Sequence, residues 1–579
     1  MAGQHVESQA KVPADTLKTL QSYLLRQSDN PAEYRRQLLK TGLSTQERLV
    51  VQGLYNHYQI PSIPKDLWPS WAVQQSNPES EFFSSGSPSA VLLNESIRSG
   101  TVLSKTGASL STMVDPQGVV YPTHPRFAID HLFITENARA YASFLDGASQ
   151  RLDPETGGVY TDYEWEGVQW SIYSAFSQQS ADSAQTQQII RLKNREDAPK
   201  KVSVVVVIKP YHIEGLNPIS SIQYLSSNLV LVDQCPGLVF KETPRNIVCF
   251  SLADGSFIEQ SDQLEMILQS HCSEYLASGY FQYTYTLGPN EQSLSYSIPH
   301  SQQAQRLDTK YKVSRYLESR LPAYQHKSID SILTPLKGYS QKVQQSLSRI
   351  DFPQAKIKQL LRSSQAYVLN SLGMSPDRYR LPFLYPDSSL AYYAPILQVL
   401  NRFNHVNTCR KRLEQLIKSQ GSGNWRLPGL GRSVMEIAQL MALMADFFQF
   451  SQSQVTIERH FPLIQKYYNT LEKSALMREI QGLPSRSLFT KQLQHTDLSY
   501  DHAHIQSLLY LQSALKSMQL MGKAIEKEIP ELTVSLKKVQ RYLARILKSI
   551  SEKPKVLSHP TEYISELPAL LSVYPLNDR

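Results

Sequence analysis

The residues with most capacity for chemistry fall in the last third of the chain. His495, His502 and His504 stand near Asp497 and Asp501, the one constellation with the donor types of a metal site. His502 and His504 are two apart, which on a helix turns them about 200° from one another. That spacing suits a loop or strand chelate and disfavours a helical one, and no metal or other cofactor is expected. Trp425 and Arg426 lie on a loop rich in glycine, with Gly421, Gly423, Gly429 and Gly431 around them. An indole on such a loop either stacks on a flat ligand face or folds back over helix ends. Asp387, in Pro386-Asp387-Ser388-Ser389, precedes an apolar run and suits a helix N-cap, and Asp501 after Ser499-Tyr500 reads the same way. Tyr392 and Tyr393 are adjacent, so only one can face a given side of a helix. Glu436 sits near Gln439 within a helical pattern and reads as an exposed face. Cys235, Cys249, Cys272 and Cys409 form no CxxC pair, so free buried thiols are expected, with a Cys235–Cys249 bridge as the alternative.

The elements that must hold these residues divide the chain into three textures. Residues 1–85 show short helical periods and then Pro61, Pro64 and Pro69 beside Trp68 and Trp71, which reads as a helical and Pro-rich strap. Residues 86–308 are rich in strands. Val202 to Ile208 is almost wholly β-branched and suits a strand buried on both faces. Tyr280, Gln282, Thr284 and Thr286 alternate with Phe281, Tyr283, Tyr285 and Leu287. Asp115-Pro116-Gln117-Gly118, Asp146-Gly147 and Thr156-Gly157-Gly158 supply turns. Many strands at short spacing predict a large antiparallel β-sandwich. Residues 309–579 carry helical periods over Ile357–Leu372, Ser388–Phe403, Thr408–Ser419, Ser433–Phe448, Val455–Leu476, His502–Met521 and Leu532–Ile550, which suggests paired helices.

Composition limits the function. The chain has 579 residues, 41% hydrophobic and 19% charged, which suits a globular protein of several domains. Mean hydropathy is −0.34, no apolar run approaches a membrane span, and the first residues lack an apolar signal core. A cytoplasmic protein without a membrane partner is expected. The net charge of +8 is thin over this length. Lys537, Lys538, Arg541 and Arg545 read as a solvated helix face, and no nucleic-acid module appears.

Several segments, in order, resemble the bacterial glucoamylase-type glycoside hydrolases, which join a supersandwich to an (α/α)6 six-hairpin barrel. Met113 to Val120, followed by His124-Pro125-Arg126-Phe127, looks like the family's opening strand and turn. Lys209-Pro210-Tyr211-His212-Ile213-Glu214-Gly215-Leu216-Asn217-Pro218-Ile219 looks like its "RPYNPEGxxPI" segment at the end of a long strand. Asp387 to Tyr393 resembles the "RDSAY" opening of the first hairpin, Gln420 to Trp425 the glycine turn, and Leu498 to Gln506 the "YxDxFW" start of a later helix. The resemblance covers residues 90–579.

The resemblance implies a multidomain α and β fold with a C-terminal α/α hairpin toroid, read here as incomplete because fewer helices are legible than six hairpins need. It implies inverting hydrolysis by two carboxyl groups about 6.5–9.5 Å apart. The acid loop would fall between Met477 and Asp501, making Glu479 and Asp501 the candidate catalytic residues; the base would lie beyond the end of the sequence. Asp387, Tyr392, Trp425 and Arg426 become candidate sugar contacts. The sequence also departs from the family. Pro386 replaces the usual Arg, Leu430 to Glu436 lacks the Trp-Asp of "WDxxGQ", and His504 and Ile505 replace the aromatics after Asp501. The expected function is therefore carbohydrate-related, with hydrolysis lost or weakened and a glycan-binding or scaffold role for an oligosaccharide or α-glucan partner. The alternatives are an active inverting α-glycan hydrolase, and a structural homo-oligomer or partner complex formed through an open helical edge.

Overall fold

The structure, a computed structural model, describes residues 100–300 except 105–109, 124, 178–183, 213–214, 218, 252–254, 256, 258–264 and 274–275. It further describes 306–325, 334, 336–337, 354–371, 390–403, 405–421, 434–481 and 499–551, and Trp68. Two compact units divide at Asp387 and Ser388.

The first unit holds two large antiparallel sheets. In chain order the strands are β1 (Thr101–Leu103), β2 (Thr112–Val114), β3 (Val120–Pro122), β4 (Ala128–Ile134), β5 (Arg139–Tyr141), β6 (Ser149–Leu152), β7 (Val159–Trp165), β8 (Val168–Ser177), β9 (Gln185–Asn194) and β10 (Lys200–Lys209). They continue with β11 (Tyr211–His212), β12 (Gly215–Leu216), β13 (Ser221–Leu225), β14 (Leu229–Val232), β15 (Cys235–Phe240), β16 (Asn246–Ser251), β17 (Gln269–His271), β18 (Ala277–Leu287) and β19 (Gln292–Pro299). One sheet runs β1-β2-β3-β4-β10-β18-β16, with β5 on β4; the other runs β17-β13-β14-β15-β19-β9-β8-β7-β6.

The β-branched run expected at Val202–Ile208 is the centre of the first sheet, between β4 and β18. Its Val204, Val206 and Ile208 join Ile129, Phe133, Trp170, Ile190 and Phe281 in the core between the sheets. The opposite face of β10 is buried too, at Val205 and Val207, so this strand has no solvent face. Two buried histidines tie the sheets across the core. His131 Nε2 lies 2.9 Å from the Tyr296 hydroxyl, and His300 Nε2 lies 3.0 Å from Thr112 Oγ1 and 2.8 Å from Thr186 Oγ1.

The outward face of the second sheet is covered by chain that follows the last strand. Helices α1 (Lys310–Ser319) and α2 (Leu321–Gln325) bring Tyr316, Leu321 and Tyr324 onto Leu229, Leu231 and Val239. Helix α3 (Ala355–Ser371) is pinned by Asn370, whose carbonyl accepts from Ser104 Oγ and whose Nδ2 donates to Gly157 O at 2.9 Å.

The second unit is helical: α4 (Leu390–Arg402), α5 (Val406–Gly421), α6 (Val434–Ser451), α7 (Gln454–Glu472), α8 (Ala475–Ile480), α9 (Ser499–Ala524) and α10 (Pro530–Ser551). These form three hairpins, α4/α5, α6/α7 and α9/α10, and α6 packs against both α4 and α9. Among the described residues the helical unit thus holds three hairpins with adjoining first helices, and these do not by themselves make the expected toroid. Every residue from Ile437 to Ala445 on α6 is buried, as suits a helix surrounded by others. The single period expected over Val455–Leu476 breaks at Lys473 and Ser474; the Ser474 hydroxyl accepts from Met477 N at 3.2 Å and starts α8. All four cysteines are free and buried, which removes the alternative of a Cys235–Cys249 bridge.

Candidate functional site

The resemblance segment at the end of β10 leads to a fully buried ion pair. Register places Lys209 opposite Ala128 and Val207 opposite Asp130. Lys209 and Asp130 therefore lie diagonally on one face of the sheet, the face away from the core occupied by Ile129 and His131. Lys209 Nζ is 2.7 Å from Asp130 Oδ2, and both side chains are 0% exposed. The same Oδ2 accepts from Ser143 Oγ at 2.6 Å, and Oδ1 accepts from the backbone N–H of His131 at 2.8 Å. Ser143 belongs to a 3-10 turn, Ala142–Phe144, that follows β5. Tyr141, the last residue of β5, sets its ring 3.6 Å from Nζ. A desolvated charge pair is tolerated only when its remaining donors and acceptors are satisfied; two hydrogen-bond donors besides the lysine and one aromatic face meet that demand here.

A second buried carboxyl lies close enough to interact electrostatically with Asp130. Asp115 begins the expected Asp-Pro-Gln-Gly turn. Its Oδ1 accepts from Gln117 N at 3.0 Å and Val119 N at 2.8 Å, and Oδ2 accepts from Tyr121 Oη at 2.9 Å. Burial pushes its carboxyl up to about 7, against the pull of these donors and with a further push from Asp130. Gly118 completes the turn at φ +75°, with its missing Cβ position 3.2 Å from Thr161. Burial also holds His131 down at about 4, so its ring is neutral at physiological pH.

After Lys209 the chain makes a small hairpin. Tyr211 pairs with Leu216 and His212 with Gly215, Asn217 N donates to Pro210 O at 2.9 Å, and Asn217 Nδ2 donates to Arg126 O. The Tyr121 ring packs on Tyr211 and edge-on to His212. Lys209, Asp130, Asp115 and Tyr121 are all buried, so this network positions backbone and does not meet a dissolved substrate.

In the helical unit, the Nδ2 of Asn401 on α4 donates to Asp446 Oδ2 on α6 at 2.9 Å, and burial raises the Asp446 carboxyl. Glu472 at the end of α7 accepts from Tyr468 Oη and Gln481 Nε2, each at 3.1 Å, and from Ser535 Oγ on α10. A groove of about 760 Å³ runs along α7, lined by Pro462, Gln465, Lys466, Asn469, Thr470 and Lys473, with Ile437 of α6 at its floor. Among the described residues lining it there is no carboxylate.

The candidates named from sequence are distributed as follows. Glu479 falls in the last turn of α8 and Asp501 in the first turn of α9; because the helix already includes Ser499 and Tyr500, Asp501 lies inside it and is not the N-cap expected from the sequence. Tyr392 lies in the first turn of α4. Asp387, Trp425 and Arg426 lie outside the described residues, as do His495 and Asp497. The side chains of Glu479, Asp501 and Tyr392, like those of His502, His504 and Glu436, are also outside the description. Among the described residues no group of three or more His, Cys, Asp or Glu is placed to hold a metal ion, and no helix is long and apolar enough to cross a membrane. Lys537, Lys538, Arg541 and Arg545 are exposed on α10, as expected. The sequence reading missed Asp130 and Ser143, and took Lys209 only as part of a pattern. The available signal was a charge inside an apolar strand (Phe127 to Ile134) and another closing a run of valines.

No family model matches the chain, and no curated protein matches it. Solved structures give weak likenesses. A protein described as a kojibiose phosphorylase from human microbiome is similar at TM-score 0.35 and 10% identity, over 78% of this chain and 68% of that one. A GH92-family glycosyl hydrolase is similar at TM-score 0.31 and 11% identity, over 76% of this chain and 62% of that one. A TPR-domain containing protein from Parabacteroides distasonis gives TM-score 0.22 and 12% identity, over 81% and 87%. At TM-scores this low the overlays carry no argument about chemistry.

Proposed function

We propose that the chain is a glucoamylase-like carbohydrate protein that binds an oligosaccharide or α-glucan inside the cell, with hydrolysis weakened or lost. The observation that carries this reading is the segment from Lys209 to Asn217. Its residues resemble the family segment, and at the end of the long β10 Tyr211–His212 pairs antiparallel with Gly215–Leu216. The order of a two-sheet unit before helical hairpins supports the same reading. Weakened hydrolysis is supported by sequence: Pro386 in place of Arg, no Trp-Asp before Gly431, and His504-Ile505 in place of the aromatics. In this reading Asp387, Tyr392, Trp425 and Arg426 contact sugar, and Glu479 and Asp501 are the carboxyl groups that retain any acid/base role.

The test is product release from maltooligosaccharides and starch, run beside Asp387→Ala, Glu479→Ala and Asp501→Ala, with saccharide binding followed by calorimetry. Binding without turnover, weakened by Asp387→Ala, is the expected result. Turnover abolished by Glu479→Ala or Asp501→Ala makes the protein an active hydrolase. The absence of both binding and turnover would refute the carbohydrate reading.

A further inference from the structure

The Lys209–Asp130 pair has the parts of an amide-forming site. The amine is hydrogen-bonded at 2.7 Å to Asp130 Oδ2, one bond from the carbon it would attack, so the two groups are held at an effective concentration far above any bimolecular one. The two oxygens of the carboxyl are distinguished. Oδ1 accepts the His131 backbone N–H at 2.8 Å, a fixed donor for the negative charge that builds on a carbonyl oxygen under attack. Oδ2 accepts the Ser143 hydroxyl at 2.6 Å, a proton source for a departing oxygen. The Tyr141 ring seats Nζ at 3.6 Å, and both reacting side chains are 0% exposed.

From this geometry we propose that Lys209 and Asp130 condense into an intramolecular amide that covalently joins β10 to β4. One proton passes across the hydrogen bond, leaving an amine facing a carboxylic acid. Nζ attacks Cγ, the Cγ–Oδ2 bond breaks, and Oδ2 departs as water with two protons that began on Nζ. Nζ keeps one hydrogen as the amide N–H, and Oδ1 becomes the amide carbonyl, still accepting from His131. Ammonium and carboxylate go to amide and water, with no oxidant, reductant or co-reactant. The product has no net charge to desolvate, so the burial that disfavours the pair favours the bond.

The test uses the full chain as purified. The intact mass is expected to fall short of the sequence mass by one water. Because Asp-Gly sequences elsewhere in the chain can lose water as succinimides, location decides the matter. Trypsin, which does not cut before Pro210, would release Phe127–Arg139 and Val202–Lys241 as one joined species whose fragments place the bond at Asp130 and Lys209. Lys209→Ala is expected to abolish that species. Recovery of the two peptides only as separate, unmodified molecules from the folded wild-type chain overturns the proposal, and that result needs no variant to fold.

Discussion

Replacing Lys209 with methionine isolates the energetic role of the buried pair. Methionine keeps most of the lysine stem but removes the Nζ group that lies 2.7 Å from Asp130 Oδ2 and 3.6 Å from the Tyr141 ring. Asp130 then keeps only the Ser143 hydroxyl and the His131 N–H as donors. Measured against wild-type chain in which the pair is not joined, breaking it from one side costs about 3–5 kcal/mol, because the remaining charge has no counterion and no water. Asp130→Leu should cost a similar amount by stranding the ammonium. The double variant removes both desolvation penalties and should recover most of the loss, to within about 2 kcal/mol of wild type. The assay is denaturant unfolding of the full chain, followed by tryptophan fluorescence, to which Trp170, buried in the sandwich core, contributes. The reasoning is refuted if either single change costs less than about 1 kcal/mol, the range of an exposed pair, or if the double variant loses the sum of the singles.

Asp115 and His131 predict opposing pH dependences. Burial raises the Asp115 carboxyl from 3.8 to about 7, so the folded state holds a proton that the unfolded state releases; stability from this group is full below 3.8 and lost as pH rises through 7. Burial lowers His131 from 6.5 to about 4, so its stability is full above 6.5 and lost as pH falls through 4. Between those limits the slopes oppose at about 1.4 kcal/mol per pH unit each. Asp115→Asn minus wild type should therefore rise with pH and His131→Gln minus wild type should fall, in unfolding free energies measured from pH 4 to 6.5; parallel profiles would remove both assignments. Gly118→Ala meets a φ of +75° and Thr161 at 3.2 Å, and should cost more than about 1 kcal/mol by thermal or denaturant unfolding. Burial pushes the Cys249 and Cys409 thiols up to about 12. A thiol reagent at pH 8 should label them only on unfolding, and rapid labelling of the native chain would contradict the packing around them.

What the sequence made legible was structure whose cause is local. Val202–Ile208 announces a doubly buried strand because β-branched side chains with no polar alternation leave no solvent face. The period at Ser433–Phe448 is answered by α6 at Val434–Ser451, and the break in the Val455–Leu476 period comes from the Lys473-Ser474 turn. The Asp130–Lys209 pair was hidden for the opposite reason. Its members are 79 positions apart, and only the register of β4 on β10 brings them together. Of the candidates named from resemblance, Asp387, Trp425 and Arg426 fall outside the described residues, in stretches of the sequence where no period or alternation ties a residue to a face.

The placement of the pair bears on how the sandwich chooses its register. In a sheet buried on both faces, hydrophobicity alone does not distinguish the correct pairing from a slip by one residue, since both put apolar side chains on each side. Strand β10 is such a case, with Val204, Val205, Val206 and Val207 all buried. A shift of β10 against β4 by one position would carry Lys209 to the core side, where Ile129 and Phe133 offer no acceptor, and would strand Asp130. The cost of an uncompensated buried charge, several kcal/mol, falls on every slipped pairing and is absent from the correct one. A valine-rich strand therefore gains from ending in a lysine that only one register can satisfy. The hairpin from Tyr211 to Leu216 starts from the position that register sets.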